Sequence, residues 1–409
     1  MITKDQINNF LKYNSSLLGF GFLMAFFSSF GQTFLLSLYL PPIETFLGLT
    51  NTELGSIYAI ATIGSALTLP WLGGFFDKKD IRYYSLFVIL GLFLSLLILS
   101  FSYYVVMVII GFYGLRLFGQ GLMTHTSVSS MARYFSSNRG KAIGAASLGH
   151  PAGEALLPIL IALLISATGW RGALQISAIS CIVLIVPLAL ILLYRSKSKI
   201  KAYNIQAREE SKNDQKTINI WHIIKTKNFW IISPVIFMVG FTNTAIFFFQ
   251  LKLGEVKGWS PEWVAGSISA FAIAGAVGML GIGSFIDRFT GKRLFPFYMI
   301  PYVAGLLILV YFDQPLAYPI ALAFAGLASG AGRTIKDSML AEIYGVKIIG
   351  QIRSIFTTVM VISTAIGPVI FGVMLDLNIG FSKIFSTVTI TMALFVINGL
   401  RRLHAVSEN

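Results

Sequence analysis

Charged side chains stand inside otherwise apolar segments at five positions of this 409-residue sequence, and Arg116 and Glu154 lie deepest. In helices that rise about 1.5 Å per residue, Arg116 lies roughly 17 Å beyond Val105 and Glu154 roughly 20 Å beyond Lys141. A charge at such depth in a bilayer costs a few kcal/mol and so indicates a function or a partner. Arg116 can bind an anion, and Glu154 can carry a proton if a cationic partner moves away. The alternative is a permanent Arg116–Glu154 ion pair.

Three further charges lie together in the segment Gly330-Ala-Gly-Arg333-Thr-Ile-Lys336-Asp337. Arg333 and Lys336 are expected to attract an anionic solute, because a guanidinium offers a planar pair of donors to a carboxylate. Asp337 is assigned to proton coupling. The alternative is an intrahelical pair of Asp337 with Arg333, four residues earlier.

Two histidines, His125 and His150, also lie within apolar segments and titrate near neutral pH. His125 is assigned to solute binding and His150 to proton coupling, with hydrogen-bonded packing as the alternative for each. No cluster of metal ligands accompanies them, so neither a metal nor a cofactor is predicted.

The elements that must position these residues are membrane-spanning helices. The chain is 56% hydrophobic and only 12% charged, which excludes an ordinary soluble protein. Apolar stretches of about 20 residues, enough to cross a bilayer as a helix, recur along the chain. Spans 1 to 6 are predicted at residues 16–40, 52–76, 83–102, 105–134, 141–167 and 171–194. Spans 7 to 12 are predicted at residues 229–251, 262–286, 294–312, 317–341, 350–375 and 381–400.

The net charge of +14 follows the predicted topology and does not indicate a nucleic acid partner. With the N-terminus in the cytoplasm, 24 Lys and Arg residues lie inside and four outside, as the positive-inside rule requires. Both termini are therefore expected in the cytoplasm. The polar segment 195–228 is expected to be a cytoplasmic linker between an N-terminal bundle, 1–194, and a C-terminal bundle, 229–409. The single cysteine, Cys181, rules out an intramolecular disulfide.

The two halves of the chain repeat each other at an offset of about 210 residues, which is typical of duplicated transporters. Gly73-Gly-Phe-Phe-Asp77-Lys78 at the end of span 2 matches Gly283-Ser-Phe-Ile-Asp287-Arg288 at the end of span 8. A glycine lets two helices approach closely, and an aspartate can bind a helix N-terminus or nearby basic side chains.

The series Gly73, Asp77, Lys78 and Arg82 resembles the loop motif of the major facilitator superfamily, although Asp80 stands where that family prefers glycine. The resemblance implies an all-α membrane protein with twelve transmembrane helices in two pseudo-symmetric six-helix bundles around a central cavity. It implies a gating role for the motif residues of both halves, which are Gly73, Asp77, Lys78, Arg82, Gly283, Asp287 and Arg288. It also implies that spans 1, 7 and 10 line the cavity. The predicted solute-binding residues are then Gln32, Arg116, His125, Asn243, Gln250, Arg333 and Lys336.

Arg133-Tyr-Phe, followed by Asn138-Arg139-Gly140 and Gly169-Trp170-Arg171, is similar to the branch of monocarboxylate and oxalate:formate porters. That branch implies proton-coupled symport of a small organic anion or amphoteric metabolite, although span 8 lacks the basic residue usual there. The alternative is a proton-driven exporter of drug-like or metabolite solutes. A non-transporting sensor is disfavoured, because it would usually carry an extra soluble domain and both tails are short. An intramembrane enzyme is disfavoured, because no nucleophile–base pair or metal-ligand set is found at mid-membrane. The expected partners are a small solute, protons or sodium, and lipid, for a monomer in a bacterial inner membrane.

Overall fold

The computed structural model describes residues 4–135, 138–198, 200–201, 223–345 and 348–405, with side chains from residue 14 onward except at 77–78, 350 and 399–405. These residues form helices joined by short loops, and no strand occurs among them. The all-α prediction is confirmed. Most of the predicted linker, residues 199 and 202–222, lies outside the described part of the chain.

The helices of spans 1 to 6 follow the predicted order, and several are interrupted by 3₁₀ or π turns. The α-helices are Lys4–Phe27, Thr33–Leu36, Leu40–Leu47, Asn51–Gly73, Phe75–Lys78, Ile81–Ser100, Val105–Gly114, Thr124–Tyr134, Arg139–Ser147, Gly149–Ser180 and Val186–Arg195. The 3₁₀ turns are Ser28–Gly31 and Ser37–Tyr39, and the π-helical segments are Leu115–Met123 and Cys181–Ile185.

The helices of spans 7 to 12 are more regular. They are Lys227–Phe248, Gln250–Lys257, Pro261–Gly281, Gly283–Phe289, Gly291–Leu294, Ile300–Tyr311, Ala317–Tyr344, Ile349–Asp376 and Phe381–Ala405.

Local sequence signals explain where several helices begin and end. Span 8 begins with Ser260 as N-cap, whose hydroxyl accepts a hydrogen bond from the Trp263 N–H, and with Pro261 in the first turn. The preceding helix ends at Gly258, whose φ of 72° is accessible to glycine at little cost. Gly169, with φ 71° and ψ 166°, interrupts the long helix Gly149–Ser180 and so separates span 5 from span 6.

Eight described helices are long and apolar enough to cross a membrane, and nine when the bent span 1 is included. One of the eight, Arg139–Arg195, contains both span 5 and span 6 on either side of Gly169. The shorter apolar helix Ile300–Tyr311 and the 28-residue helix Ala317–Tyr344 complete the set of twelve. The chain is therefore a multi-pass membrane protein.

The helices pack into two compact units. Unit 1 holds the described residues of Met1–Leu36, Gly64–Leu157 and Leu163–Gln215. Unit 2 holds those of Ser37–Ile63, Pro158–Ala162 and Lys216–Asn409. In unit 1, span 1 packs on spans 4, 5 and 6; in unit 2, span 8 packs on span 10 and span 7 on span 11. The end of span 1 and the start of span 2 thus pack with the second half of the sequence, a feature that the predicted bundle boundaries did not include.

Candidate functional site

Span 1 is broken in its middle, where the sequence predicted one continuous helix over 16–40. The 3₁₀ turn Ser28–Gly31 ends at Gln32, whose backbone is extended (φ −84°, ψ 148°), and the helix restarts at Thr33. The two parts, Asn14–Gly31 and Thr33–Leu47, are bent by 48°. Such a break leaves backbone carbonyls without helical partners and available to other groups.

A close approach of span 4 accompanies the break. A Cβ atom added at Gly31 would overlap the carbonyl oxygen of Leu115 and the amide nitrogen of Gln120. Gly119 packs equally closely in return, because its added Cβ would lie 2.7 Å from the Gly31 nitrogen. Only glycine at these two positions allows the backbones to touch in this way.

Arg116 lies at this contact, within the π-helical segment Leu115–Met123. Its side chain is only 5% exposed, and Nη1 donates to the Gly31 carbonyl oxygen at 3.4 Å and to Thr33 Oγ1 at 3.5 Å. π-helical turns often occur at functional sites. The break in span 1 thus supplies two acceptors to a buried guanidinium, at the long distances of 3.4 and 3.5 Å.

Span 5 packs on the same broken segment from its own side. A Cβ added at Gly149 would lie 2.9 Å from the Phe26 nitrogen, and one added at Gly153 would lie 2.5 Å from the Phe26 oxygen. This packing brings Glu154, 7% exposed, and His150, whose ring centroid lies 6.3 Å from that of Phe34, alongside span 1. We call the group Gln32, Thr33, Arg116, His150 and Glu154 the span 1 break site.

His125 is not part of the span 1 break site. It follows Arg116 by nine residues, about 13 Å along the helix. Its ring meets the ring of Phe76 edge-on at 5.7 Å, and Nε2 lies 3.3 Å from Ser129 Oγ. A Cβ at Gly73 would lie 3.7 Å from the same ring. The structure therefore places this predicted solute-binding residue beside the loop motif.

The polar residues of unit 2 that are buried as a whole, in the part of the chain that the structure describes, are uncharged. The Lys257 side chain is also buried, and it pairs with Asp313 at the end of its helix. Gln250 is fully buried; its Nε2 donates to Ser37 Oγ at 2.7 Å, and its Oε1 accepts from the Tyr318 hydroxyl at 3.1 Å. Asn243, two turns earlier on span 7, accepts from the Tyr302 hydroxyl at 3.3 Å and lines a cavity of about 10 Å³. That volume is close to the minimum that holds one water molecule. Asn243 and Gln250 are thus bound to two tyrosines that the sequence analysis did not select.

The charges of span 10 form a pairing that differs from the expected one. Asp337 pairs with Arg353 of span 11 at 3.4 Å, whereas the sequence suggested an intrahelical pair with Arg333. The Arg333 side chain is exposed, and Lys336 is half-buried. The interhelical pair forms because Arg353 lies in the first turns of span 11, which packs on span 10. This contact has no signature in local spacing.

Comparison with known families decides the class of the protein. The profile of the Major Facilitator Superfamily matches residues 21–320, close to three quarters of the chain. The chain belongs to the Major Facilitator Superfamily. Known members of the superfamily and the relatives found here are membrane transporters and not enzymes.

The curated relatives of this superfamily member include two bacterial phosphate-ester carriers. It is 27% identical over 298 residues to a glycerol-3-phosphate transporter of Bacillus subtilis (strain 168), covering 67% of this chain and 65% of that protein. It is 25% identical over 300 residues to a probable hexose phosphate transport protein of Chlamydia muridarum, covering 67% and 64%. The match thus spans about two thirds of the length of these relatives. The expected membership of the monocarboxylate and oxalate:formate branch is not confirmed.

Solved superfamily structures share the fold. The nucleoside transporter NupG (D323A mutant) superposes with a TM-score of 0.73 at 12% identity, over 95% of this chain and 99% of that one. A bacterial homologue of the lysosomal transporter Spinster, inward-facing and unoccupied, gives 0.65 at 15% identity over 96% of both chains. These likenesses support the twelve-span fold alone.

In the first superfamily loop motif, the predicted residue Arg82 binds Asp80, which was not among the predicted motif residues. Arg82 pairs with Asp80 through bonds of 3.0 Å from Nε and Nη2, and Asp80 also caps span 3 by accepting from the Arg82 N–H. These bonds hold the pKa of Asp80 below its usual value. The side chains of Asp77 and Lys78, to which the motif assigns a gating role, lie outside the described residues. The departure from the family pattern, Asp80, is therefore a helix cap.

The repeat of the motif in unit 2 is more open. No atom lies within 4 Å of a Cβ added at Gly283, and Asp287 and Arg288 are exposed, with the Arg288 guanidinium 5.2 Å from the Phe289 ring centre. The following loop is bound by Glu342 of span 10, which accepts from the Gly291 and Lys292 amides at 2.8 and 2.9 Å. The gating role of all seven motif residues stays a prediction.

Proposed function

We propose that this protein is a secondary transporter that moves a small organic anion through the membrane by alternating access, together with a proton. One observation carries the proposal. Among the described Asp, Glu, Lys and Arg residues, only Arg116 and Glu154 are buried as whole residues, at 5% and 7% exposure; the Lys257 side chain, 6% exposed, instead pairs with Asp313 at the end of its helix. Arg116 and Glu154 both lie beside the same broken segment of span 1. Buried opposite charges next to an interrupted helix are what a site needs to bind an anion and exchange a proton.

Arg116 is the proposed anion-binding group. A guanidinium pairs through two parallel hydrogen bonds with either a carboxylate or a phosphate. The named relatives are carriers of glycerol 3-phosphate and hexose phosphate, which favours phosphate esters as the first solutes to test. We assign the exposed Arg333 and the half-buried Lys336 to longer-range attraction of the anion, since two neighbouring basic groups raise the local concentration of anions without holding one tightly.

Glu154 is the proposed proton-coupling group. While its carboxylate is ionised, it offsets the positive charge of Arg116 and so competes with a solute anion. When Glu154 takes a proton, that positive charge is left for the solute. Proton and anion then bind together and cross together. We assign the onward transfer of the proton to His150, one turn earlier on span 5; sodium coupling is the alternative to be excluded.

The loop charges support a bacterial inner-membrane location with both termini in the cytoplasm. A single pair of bundles can form the complete transport path, so we propose a monomer. The expected lipid contact follows from the many exposed large apolar side chains, such as Leu67, Val183 and Leu280.

The test is uptake into proteoliposomes that contain a pH-sensitive dye, with glycerol 3-phosphate, hexose 6-phosphate, small carboxylates and a cationic drug as solutes. For Arg116→Lys we expect the KM to rise at least about tenfold, because the charge remains while the two-pronged donor is lost. For Glu154→Gln we expect solute exchange to persist and solute-driven proton uptake to vanish. Arg139→Lys and Glu255→Gln make the same changes at exposed positions and should behave as wild type.

Two results would contradict the proposal. A response to the cationic drug alone would favour the proton-driven exporter. Proton uptake that survives Glu154→Gln would remove Glu154 from the coupling site. A requirement for sodium in the wild type would replace the proton as the coupling ion and leave the anion site of Arg116 intact.

A further inference from the structure

Within unit 2, the C-terminus of span 11 meets the N-terminus of span 2. Asp376 is the last residue of helix Ile349–Asp376, and its carboxylate accepts from the backbone N–H groups of Asn51 at 3.1 Å and Thr52 at 2.8 Å. It also accepts from the Asn51 side-chain amide at 2.6 Å and from the Thr52 hydroxyl at 2.5 Å. One carboxylate therefore makes four hydrogen bonds to residues more than 320 positions away in the sequence.

Span 2 already has a local cap, which the distant carboxylate completes. The Thr50 hydroxyl accepts from the Glu53 N–H at 3.2 Å, and Glu53 Oε2 accepts from the Thr50 N–H at 2.8 Å. This reciprocal capping box satisfies the first and last of four consecutive donors. The two donors between them, on Asn51 and Thr52, are the ones that Asp376 binds. A negative charge at a helix N-terminus is also favoured by the helix dipole.

The packing around this contact leaves no room for a side chain. A Cβ added at Gly55 would lie 2.7 Å from the Pro368 carbonyl oxygen, and one added at Gly372 would lie 2.6 Å from the Asn51 carbonyl oxygen. Spans 2 and 11 therefore touch backbone to backbone. Beside them, Lys252 at the end of span 7 donates to Glu44 at 3.0 Å and to the Asn51 side chain.

We propose that Asp376, through Asn51 and Thr52, is a latch that holds this end of the transporter closed. The proposal rests on the alternating access proposed above for the bundles 1–194 and 229–409: span 2 belongs to the first and span 11 to the second, so their ends separate when the path opens here. On the orientation expected from the loop charges, this end faces outward. When this end opens, the backbone N–H groups of Asn51 and Thr52 bind water instead of Asp376. The capping box of Thr50 and Glu53 stays intact, so the latch can open without unwinding span 2. Closing restores four bonds to a charged acceptor, which are among the stronger hydrogen bonds in proteins.

The test measures the distance between spin labels at Phe46 and Leu377, two exposed positions on either side of the contact. Both are replaced by cysteine in a Cys181→Ser background, and the full chain is placed in lipid nanodiscs without solute. For Asp376→Ala we expect the ratio of short to long distances to fall about tenfold, because several charge-assisted bonds are lost from one state only. Asp376→Glu should restore part of the short-distance population. Glu53→Gln removes the same charge from the same helix end without touching span 11 and should leave the ratio unchanged.

An unchanged distance distribution in Asp376→Ala would overturn the latch, as would an equal shift in Glu53→Gln. If Asp376→Ala does not yield a monodisperse protein, Asp376→Asn decides, because it is isosteric and keeps one acceptor oxygen. It should give an intermediate ratio, and a wild-type ratio would reject the proposal. The measurement needs no solute, so a failed latch leaves the anion transport of the proposed function untouched, and the reverse also holds.

Discussion

The buried polar groups of the two units differ in kind. The interior of unit 1 contains a guanidinium and a carboxylate, Arg116 and Glu154, whereas the corresponding contacts in unit 2 join Gln250 to Tyr318 and Asn243 to Tyr302. Charged groups in a low-dielectric interior respond strongly to a proton or an anion, whereas neutral hydrogen-bonded groups do not. Among the described residues, those buried as a whole include two charged ones in unit 1 and only uncharged ones in unit 2.

The difference also has an energetic side. A buried charge is stable only while opposite charge or several donors compensate it, and removal of one partner leaves the other strongly destabilising. A buried amide costs far less when it loses a bond. Unit 1 should consequently tolerate substitution of its polar interior much less well than unit 2.

The largest expected effect comes from removing one buried charge at a time. Arg116→Gln and Glu154→Gln should each lower the free energy of unfolding by about 3 kcal/mol or more, because each leaves an uncompensated charge in the interior of unit 1. The double variant should be more stable than either single variant. Thermal unfolding in detergent, followed by tryptophan fluorescence, measures the three midpoints, with Glu255→Gln as the exposed control. Additive losses in the double variant would mean that Arg116 and Glu154 do not interact.

The next effect is on the backbone contact that gives Arg116 its acceptors. Gly31→Ala should cost about 1–3 kcal/mol, because the new methyl group overlaps the span 4 backbone and has no space to relax into. It should also raise the KM for the anion, since the Gly31 carbonyl moves away from Arg116. Gly144→Ala is the matched control, because nothing lies within 4 Å of its added Cβ and alanine favours a helix. Equal stability of the two variants would show that the contact is not tight.

In unit 2 the expected effect on stability is comparable, but the expected effect on transport is smaller. Gln250→Leu should lower stability by about 1–3 kcal/mol, since Ser37 and Tyr318 lose a buried partner, and should leave the proton-to-solute ratio unchanged. Tyr318→Phe removes one donor and should cost about 1 kcal/mol. Thermal midpoints and uptake assays are compared on the same preparations. Loss of transport in Gln250→Leu at unchanged stability would instead place Gln250 in the solute site, as the sequence analysis predicted.

The sequence predicted the fold well because a bilayer forces it. Nearly every span had to be an apolar helix of about 20 residues. The orientation that the basic loops indicate stays a prediction. The break at Gln32 was not predictable, because it accompanies the contact of Gly31 with span 4, which is distant in sequence. Tyr302 and Tyr318 were missed because a tyrosine in an apolar run counts as hydrophobic, although its hydroxyl needs a partner. The pair Asp337–Arg353 was missed because spacing reports only intrahelical neighbours.

The smallest expected effect concerns two side chains at the ends of spans 4 and 10. Each binds the equivalent loop of its own unit, but the side chain is basic in unit 1 and acidic in unit 2. Arg133 donates to the Phe76 carbonyl oxygen at 2.9 Å in unit 1, while Glu342 accepts from the Gly291 and Lys292 amides in unit 2. Glu342→Ala should speed hydrogen exchange at those two amides about tenfold, because they lose a charged acceptor. Arg133→Ala removes a donor to a carbonyl and takes no acceptor away from a loop amide.

Mass-spectrometric exchange of the peptides that contain residues 73–80 and 289–294 separates the two cases. The first peptide should keep its exchange rate in Arg133→Ala, although the Arg133 guanidinium also lies 5.3 Å from the Phe76 ring centre. Glu255→Ala, an exposed glutamate of unit 2, controls for loss of charge alone. Faster exchange of both peptides, each in its own variant, would mean that Arg133 and Glu342 each stabilise the whole of the loop that they bind. The two units would then differ in their interiors and not at these ends.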